Sequence, residues 1–373
     1  MTAPAARPAS ARGFGPRDVE VVVVGAGQAG LSAAYHLARR GVVREDGFVV
    51  LDADEAPGGA WQHRWPSLTW ERVHGLHPLP ASDAPTADPD IPAREVVAPY
   101  FAAYEAEHDL PVHRPVAVSR VEEHGDGRLR VVTDAGTWIT RVLLNATGTW
   151  TKPFVPTIPG QETFAGRQLH TADYPGPVPF ADARIVVVGG GSSAVQHLAE
   201  LSEVAASTTW VTRRPPTWTE GDLDPEIGRR VVAMVAERVE AGLPPRSVVS
   251  ATGLYLGPHE EAAAARGVYR RLPLFDRVVA DGVAWDDPAP GAPAHLDADV
   301  ILYATGFRHA LDHLAPLKLR GPEGGVRMRG TRVAADARVH LLGYGPSAST
   351  IGANRAGRDA DREVVRFLAD AAA

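Results

Sequence analysis

Glycines, one aspartate and an arginine pair stand in this chain at spacings that suit the binding of two adenine dinucleotides. Gly25, Gly27 and Gly30 form a G-x-G-x-x-G string with Gln28 inside it, and Asp52 follows. That distance is close to the ~20 residues at which a carboxylate can accept both hydroxyls of an adenosine ribose. In such a string the first glycine allows a sharp turn and the second lets the backbone approach a pyrophosphate. The third lets a helix pack close to a strand. A second string, Gly189-Gly190-Gly191-Ser192-Ser193-Ala194, repeats the pattern, but the acid is replaced by Arg213 and Arg214. An arginine pair there suits the extra 2′-phosphate of NADP, which a carboxylate would repel. A solvated loop is the plain alternative for that pair, as an unliganded βαβ unit is for the first string.

The elements around both strings are those the chemistry requires. Val21-Val22-Val23-Val24 reads as a strand buried on both faces, the habit of a central parallel strand. The helix after it places Leu31, Ala34, Leu37 and Ala38 on one face and ends at Arg39-Arg40-Gly41. Its first turn offers N–H groups and the positive end of its dipole to phosphate. Phe48 to Leu51 is the next strand, closing on Asp52. The second unit runs from Ile185–Val188 through a helix to about Leu201, with Val195 and Leu198 inward, to a strand at Thr208–Val211.

Elsewhere the chain supplies covering and connecting structure. Gly58-Gly59-Ala60-Trp61 reads either as backbone passing close to a flat ligand or as a turn beside a core tryptophan. Residues 66–92 show little periodicity, and so long a loop suits a lid or binding wall. A helix is expected over Val96–His108 and strands over Val116–Glu122, Leu129–Thr133, Thr137–Thr140 and Val142–Asn145. The last strand leads into Ala146-Thr147-Gly148, and an acid-led strand, Asp299–Tyr303, leads into Ala304-Thr305-Gly306. Small residues at a strand end lie where ligands bind an α/β sheet. Ala251-Thr252-Gly253, in a Pro/Gly-rich setting, reads as a chance copy. Pro153, Pro156 and Pro159 mark a stiff linker. Pro225–Gly242 reads as an amphipathic helix, scaffold or lid, with Ile227, Val231, Met234, Val235 and Val239 on one face. Val339 to Leu342 is a further strand ending at Gly343-Tyr344, and a last helix starts near Ser349.

Composition narrows the functions. The chain has 373 residues, 45% hydrophobic and 22% charged, with a net charge of -7, so two or three globular domains fit and nucleic acid is not an expected partner. No apolar run is long enough to span a bilayer. Residues 1–18 read as a disordered tail without the apolar core of a signal peptide, and a cytoplasmic location is expected. Cysteine is absent, which excludes disulfides, a thiolate nucleophile and C-x-x-C redox chemistry. His63, His74 and His77 lack regular ligand spacing, so no metal is expected and pocket lining is the role read for them.

Taken in order, these motifs resemble the two-dinucleotide-binding-domain flavoproteins, and among them the flavin-containing monooxygenases and their Baeyer–Villiger relatives. Phe164 to Tyr174 follows the family's F-x-G-x-x-x-H-x-x-x-[W/Y] fingerprint, with His170 at its histidine. Gly58-Gly59-Ala60-Trp61 is similar to its G-G-x-W, and Ala304-Thr305-Gly306-Phe307 to its A-T-G-[F/Y]. The resemblance implies an α/β fold of two Rossmann-like domains, the NADPH domain inserted in the FAD domain. The expected division is 19–157 for the first part of the FAD domain, 158–295 for the NADPH domain and 296–373 for the remainder. It implies that FAD contacts Gly25, Gly27, Gln28, Gly30, Asp52, Gly59, Trp61, Thr147, Gly148, Gly343 and Tyr344. NADPH would contact Gly189, Gly191, Ser192, Ser193, Arg213, Arg214, Thr305 and Gly306. His170 and Phe164 would lie at the domain junction and tune domain placement. The implied reaction forms a flavin C4a-(hydro)peroxide from NADPH and O₂, kept dry while oxygen passes to a small molecule.

Two departures bear on that reaction. No asparagine occurs between Trp61 and Leu144, where N-oxidising members carry one. Trp65 to Glu71 looks more like the Baeyer–Villiger loop, with Glu71 where an acid is expected. Glu71 and His77 are the candidate catalytic side chains. An NADPH-driven flavin reductase without oxygen insertion and a non-catalytic flavin-binding protein are the competing readings.

Overall fold

The computed structural model describes residues 16–73, 75–219, 225–245 and 253–370. Two parallel-cored sheets carry the chain. Among the described residues the first has nine strands. At its centre β1 (Arg17–Val24) lies between β2 (Phe48–Leu51) and β6 (Gly136–Asn145), all parallel. Beyond β2 comes β3 (Val112–His113), and β4 (Val118–Glu123) and β5 (Leu129–Thr133) form an antiparallel meander off β6. The second sheet has five strands. Four of them are β7 (Arg167–His170), β8 (Arg184–Val188), β9 (Ser207–Thr212) and β10 (Arg271–Pro273). A small antiparallel sheet of β11 (Arg277–Val279), β12 (Gly282–Ala284) and β13 (His295–Asp297) follows. The fifth strand of the second sheet is β14 (Val300–Tyr303), and the order is β10-β9-β8-β14-β7. Finally β15 (Met328–Arg329), β16 (Arg332–Val333) and β17 (Val339–Leu341) return to the first sheet beside β6.

The valine run of β1 explains its central place. Val21 and Val23 pack into one cluster with α1 (Gln28–Arg39), α2 (Ala93–Glu107) and the C-terminal helix, while Val22 and Val24 join Leu129, Trp138 and Val339 on the other face. In the second unit α3 (Ser192–Leu201) packs Ala194, Val195 and Leu198 onto Ile185 and Val187. Trp65 and Leu68 of the long covering loop bury themselves in that same cluster, so the loop ties the two sheets together.

Several expectations are corrected. Strand β1 begins at Arg17, inside the expected tail, because it pairs with Trp138 and Ile139 and the Arg17 guanidinium lies 5.4 Å from the Trp138 ring centroid. The strands expected at 137–140 and 142–145 are one. Arg141 interrupts the apolar run but pairs with Glu20 at 2.8 Å without breaking the strand. Strand β14 was expected with the C-terminal part of the first domain, yet it lies between β8 and β7. All of its residues are buried, as a central strand demands. The expected helix at 225–242 is α4 (Pro225–Glu240), with Val231, Val235 and Val239 buried and Met234 exposed; the Ile227 side chain lies outside the described residues. It leaves the second unit and lays Val239 against Leu341 and Tyr344 of the first, with Arg327 Nε donating to Glu240 O at 2.9 Å. Residues 251 and 252 of the third A-T-G copy, His74 and most of the expected tail also lie outside the described residues. Among the described residues the remaining α-helices are α5 (Pro258–Ala265) and α6 (Thr350–Asp370).

Candidate active site

In the first glycine turn the three glycines differ in what surrounds them. A Cβ on Gly25, whose φ is +98°, would sit 2.6 Å from Ala146 O, and one on Gly30 would sit 1.8 Å from Gly25 O. These two positions are closed by the fold itself. At Gly27 a Cβ would meet no atom within 4 Å. Gly27 is also the N-cap of α1, with no side-chain cap and no acid in the first turn. The helix therefore presents open backbone and a positive end, which fits a pyrophosphate. Gly59 closes over this turn, since a Cβ there would be 2.9 Å from Gly27 Cα.

Asp52 is buried at the end of β2. Its Oδ2 accepts from the Ala26 N–H at 2.5 Å and its Oδ1 from the Asp54 N–H at 2.9 Å, so it braces the glycine turn. A carboxylate has further lone pairs, enough to accept ribose hydroxyls as well. Arg114 lies 3.7 Å from Asp52 and is forked onto Glu105 at 2.6 and 2.7 Å. The sequence reading missed this pair, which no local spacing announces.

The second turn repeats the first. A Cβ on Gly189 would lie 2.1 Å from Ala304 O, one on Gly191 meets nothing within 4 Å, and Gly191 caps α3 without a side-chain bond or an acid in the first turn. Ser192 and Ser193 form that turn. Arg213 and Arg214 are exposed just past β9. Arg271 of β10 is tied to the end of the same strand: it donates through Nε to Thr212 Oγ1 at 2.6 Å and through Nη2 to Thr212 O at 3.2 Å.

Each glycine turn thus rests on an A-T-G strand end, Gly25 on Ala146 and Gly189 on Ala304. The two threonines serve the connection between the sheets. Thr147 Oγ1 donates to Ala310 O at 2.7 Å, and Thr305 Oγ1 donates to Phe154 O. The linkers pair as they cross, Phe154 N to Gly306 O at 3.0 Å and Arg308 N to Lys152 O at 2.8 Å. Gly148 and Gly306 are exposed, with open space where a Cβ would be. His170 accepts from the Ala172 N–H through Nδ1 at 3.1 Å, so its proton is on Nε2, which donates to Gly306 O at 3.0 Å. Burial holds its pKa below the ordinary histidine value. His170 therefore lies at the junction. Phe164 does not: it is buried in the second unit with Ile158 and Val278. Its ring explains the F-x-G spacing, because a Cβ on Gly166 would come within 2.6 Å of Phe164 Cζ.

The remaining expected residues separate. Trp61 is partly buried and touches the clusters of both sheets. Tyr344 is buried in the core, its hydroxyl accepting from Val326 N at 3.2 Å and its ring 4.6 Å from His309, so its side chain belongs to the scaffold. Gly343 stays open. Glu71 is exposed against the start of α5, beside Gly257 and Glu260. His77 is exposed elsewhere, its N–H donating to Thr350 Oγ1 at 3.1 Å and its carbonyl accepting from Gln28 Nε2 at 3.0 Å. The two form no acid–base pair. Gln28 also donates to Asn354 Oδ1 at 2.9 Å, bringing the amino ends of α1 and α6 together. Its Oε1 is shut off from solvent and has no hydrogen-bond partner among the described residues, so a donor on a bound dinucleotide would satisfy it.

Two parallel sheets, each ending at an uncapped glycine turn and joined through paired linkers, define a two-dinucleotide-binding flavoprotein. Residues 22–254 match the family model described as pyridine nucleotide-disulphide oxidoreductase. The flavin-containing monooxygenase from Stenotrophomonas maltophilia is 39% identical with a TM-score of 0.78, over 94% of this chain and 99% of that one. The chain belongs to the pyridine nucleotide-disulphide oxidoreductase family and, within it, to the flavin-containing monooxygenases. An uncharacterised CzcO-like oxidoreductase from Geobacillus kaustophilus is 30% identical over 50% of this chain and 52% of its own length. The indole-3-pyruvate monooxygenase YUCCA1 from Oryza sativa is 32% identical over 52% and 47%. The match thus spans about half the length of these two curated relatives. Cyclohexanone monooxygenase shares the fold, at 18% identity and a TM-score of 0.62 over 92% of this chain and 88% of that one.

Proposed function

We propose that the protein is an FAD-dependent monooxygenase reduced by NADPH, activating O₂ at flavin C4a and passing one oxygen atom to a small organic molecule. The observation that carries this reading is the pair of open glycine turns, Gly27 and Gly191, set on the two A-T-G ends that meet at one junction. FAD would lie along Gly25–Gly30, Asp52 and Gly59, with Gly148 and Gly343 at the sheet edge. NADPH would lie along Gly189–Ser193, with Arg213, Arg214 and Arg271 on its 2′-phosphate. Bound there, the flavin supplies hydride acceptance and oxygen activation. The chain's own residues position and enclose: His170 and the crossed linkers fix the sheets, and Trp61, Trp150 and Phe307 line the junction against water. The proposal divides the chain by sheet, β7–β14 forming the NADPH unit, and places it in the cytoplasm. Among the described residues no helix is long and apolar enough to cross a membrane.

The exposure of Glu71 and His77 favours a second reading, an NADPH-driven flavin reductase that needs no proton-transferring side chain. NADPH oxidation under ¹⁸O₂ with a panel of small amines, sulfides and ketones separates the two. The proposal expects one ¹⁸O atom per NADPH in a product. Hydrogen peroxide as the sole oxygen product with every member would support the reductase.

A further inference from the structure

Arg64 is a partly buried cation with no acidic partner among the described residues. It follows the G-G-x-W turn, its own N–H donating to Trp61 O at 3.1 Å. Its guanidinium carbon lies 5.5 Å from the Trp61 ring centroid and 4.8 Å from that of Trp150. Nε is shut off from solvent and has no hydrogen-bond partner. Among the described residues no carboxylate lies within ion-pair distance of it. Asp54 is committed to His63 at 2.9 Å and Gln62 at 3.0 Å. Desolvation lowers the Arg64 pKa to about 10, which still leaves it charged near neutrality. Two indoles offset part of the cost of desolvating the inner side of the guanidinium, and no anion among the described residues hydrogen-bonds to it.

The place of this cation narrows the anion. Trp150 follows the first A-T-G end and stacks on Phe307, 4.9 Å away, which follows the second. Arg64 thus stands over the residue that follows one A-T-G end, which stacks on the residue that follows the other, while the two glycine turns are assigned to the pyrophosphates. With Nε closed off, the edge left to a ligand is the one made by the two Nη groups, a planar fork that matches a carboxylate, and the indoles beside it suit a flat body. The geometry points to a carboxylate subsite: Arg64, held between Trp61 and Trp150, binds the acid group of a planar, aromatic organic-acid substrate. This assignment rests on the monooxygenase reading for calling the ligand a substrate, but its test needs no turnover.

The test is equilibrium binding to the FAD-loaded protein, followed by indole fluorescence and flavin absorbance. The probes are benzoate and indole-3-acetate, each compared with its neutral amide. At least one acid is expected to bind ten or more times tighter than its amide. Arg64→Gln should bring that ratio to about one, and Arg64→Lys, which keeps the charge and loses the fork, should give an intermediate ratio. Flavin content and melting temperature identify a variant that has failed to fold, and the remaining variant then decides. A wild-type ratio near one, no binding of either acid, or a ratio that survives Arg64→Gln would overturn the subsite. A ratio that survives Arg64→Gln while the flavin potential shifts would assign the cation to the flavin instead. Loss of oxygen transfer with the acid preference intact would overturn the monooxygenase reading and leave the subsite standing.

Discussion

Replacing Gly27 with alanine separates ligand binding from folding at one atom. Gly27 has φ −80° and ψ −172°, an extended conformation open to alanine, and its new Cβ would meet no protein atom within 4 Å. The exchange at an N-cap costs the unliganded protein at most about 1 kcal/mol. A methyl there would occupy the path by which the backbone reaches the pyrophosphate. Losing one charge-assisted hydrogen bond costs about 1.5–3 kcal/mol, and at 1.4 kcal/mol per factor of ten that is a roughly 10- to 150-fold weaker FAD affinity. The assay is titration of unliganded protein with FAD by fluorescence quenching, beside its melting temperature. Gly191→Ala should do the same to NADPH and leave FAD binding alone. Gly30→Ala should fail to fold, because its Cβ would lie 1.8 Å from Gly25 O. Wild-type FAD affinity in Gly27→Ala, with unchanged melting, would refute the placement of the pyrophosphate.

Three further outcomes are expected. Alanine at both Arg213 and Arg214 should raise the NADPH KM by ~10-fold or more and barely change that of NADH, since charge-assisted bonds to the 2′-phosphate are lost; equal changes for both coenzymes would return the pair to the solvated loop. Ile351 is exposed in the first turn of α6, so Ile351→Asp adds a charge there without removing a hydrogen bond. If that helix end faces the flavin, the acid should lower the flavin's two-electron potential by about 5–20 mV, as a helix-end charge is worth ~0.3–1 kcal/mol; an unchanged potential in dye equilibration would refute it. Burial holds His309, His313 and His340 at about 4, well below the unfolded value. The folded chain keeps them neutral while the unfolded chain takes up protons. Their stabilisation is therefore complete above pH ~6.5 and lost as pH falls towards 4, about 3 kcal/mol for His340. His340→Asn should flatten the fall of melting temperature over that range, and an unchanged slope would contradict the assignment.

The parts of the fold legible in the sequence are those fixed by local stereochemistry. Gly25, Gly30 and Gly189 could be read because only glycine fits where the turn meets a carbonyl, and Val21–Val24 because unbroken β-branched residues suit a strand covered on both faces. What a local pattern does not carry is the neighbour. Residues 300–303 announce a buried strand but not that β8 and β7 flank it, and 225–240 announce an amphipathic helix but not that Val239 seeks Tyr344. The same limit holds for side chains at the site. Thr147, Thr305 and Tyr344 stand beside glycine turns in sequence and spend their hydroxyls on the scaffold. Arg114, Arg271 and Arg64 reach the site from places where no spacing marks them.

The proposed function turns on oxygen activation at a flavin held between two nucleotide turns. Rapid mixing of the NADPH-reduced, FAD-loaded protein with O₂ tests it directly. A transient absorbing C4a adduct is expected before oxidised flavin returns, decaying faster when substrate is present. Return to oxidised flavin in a single phase, with hydrogen peroxide released in equal amount, would contradict it.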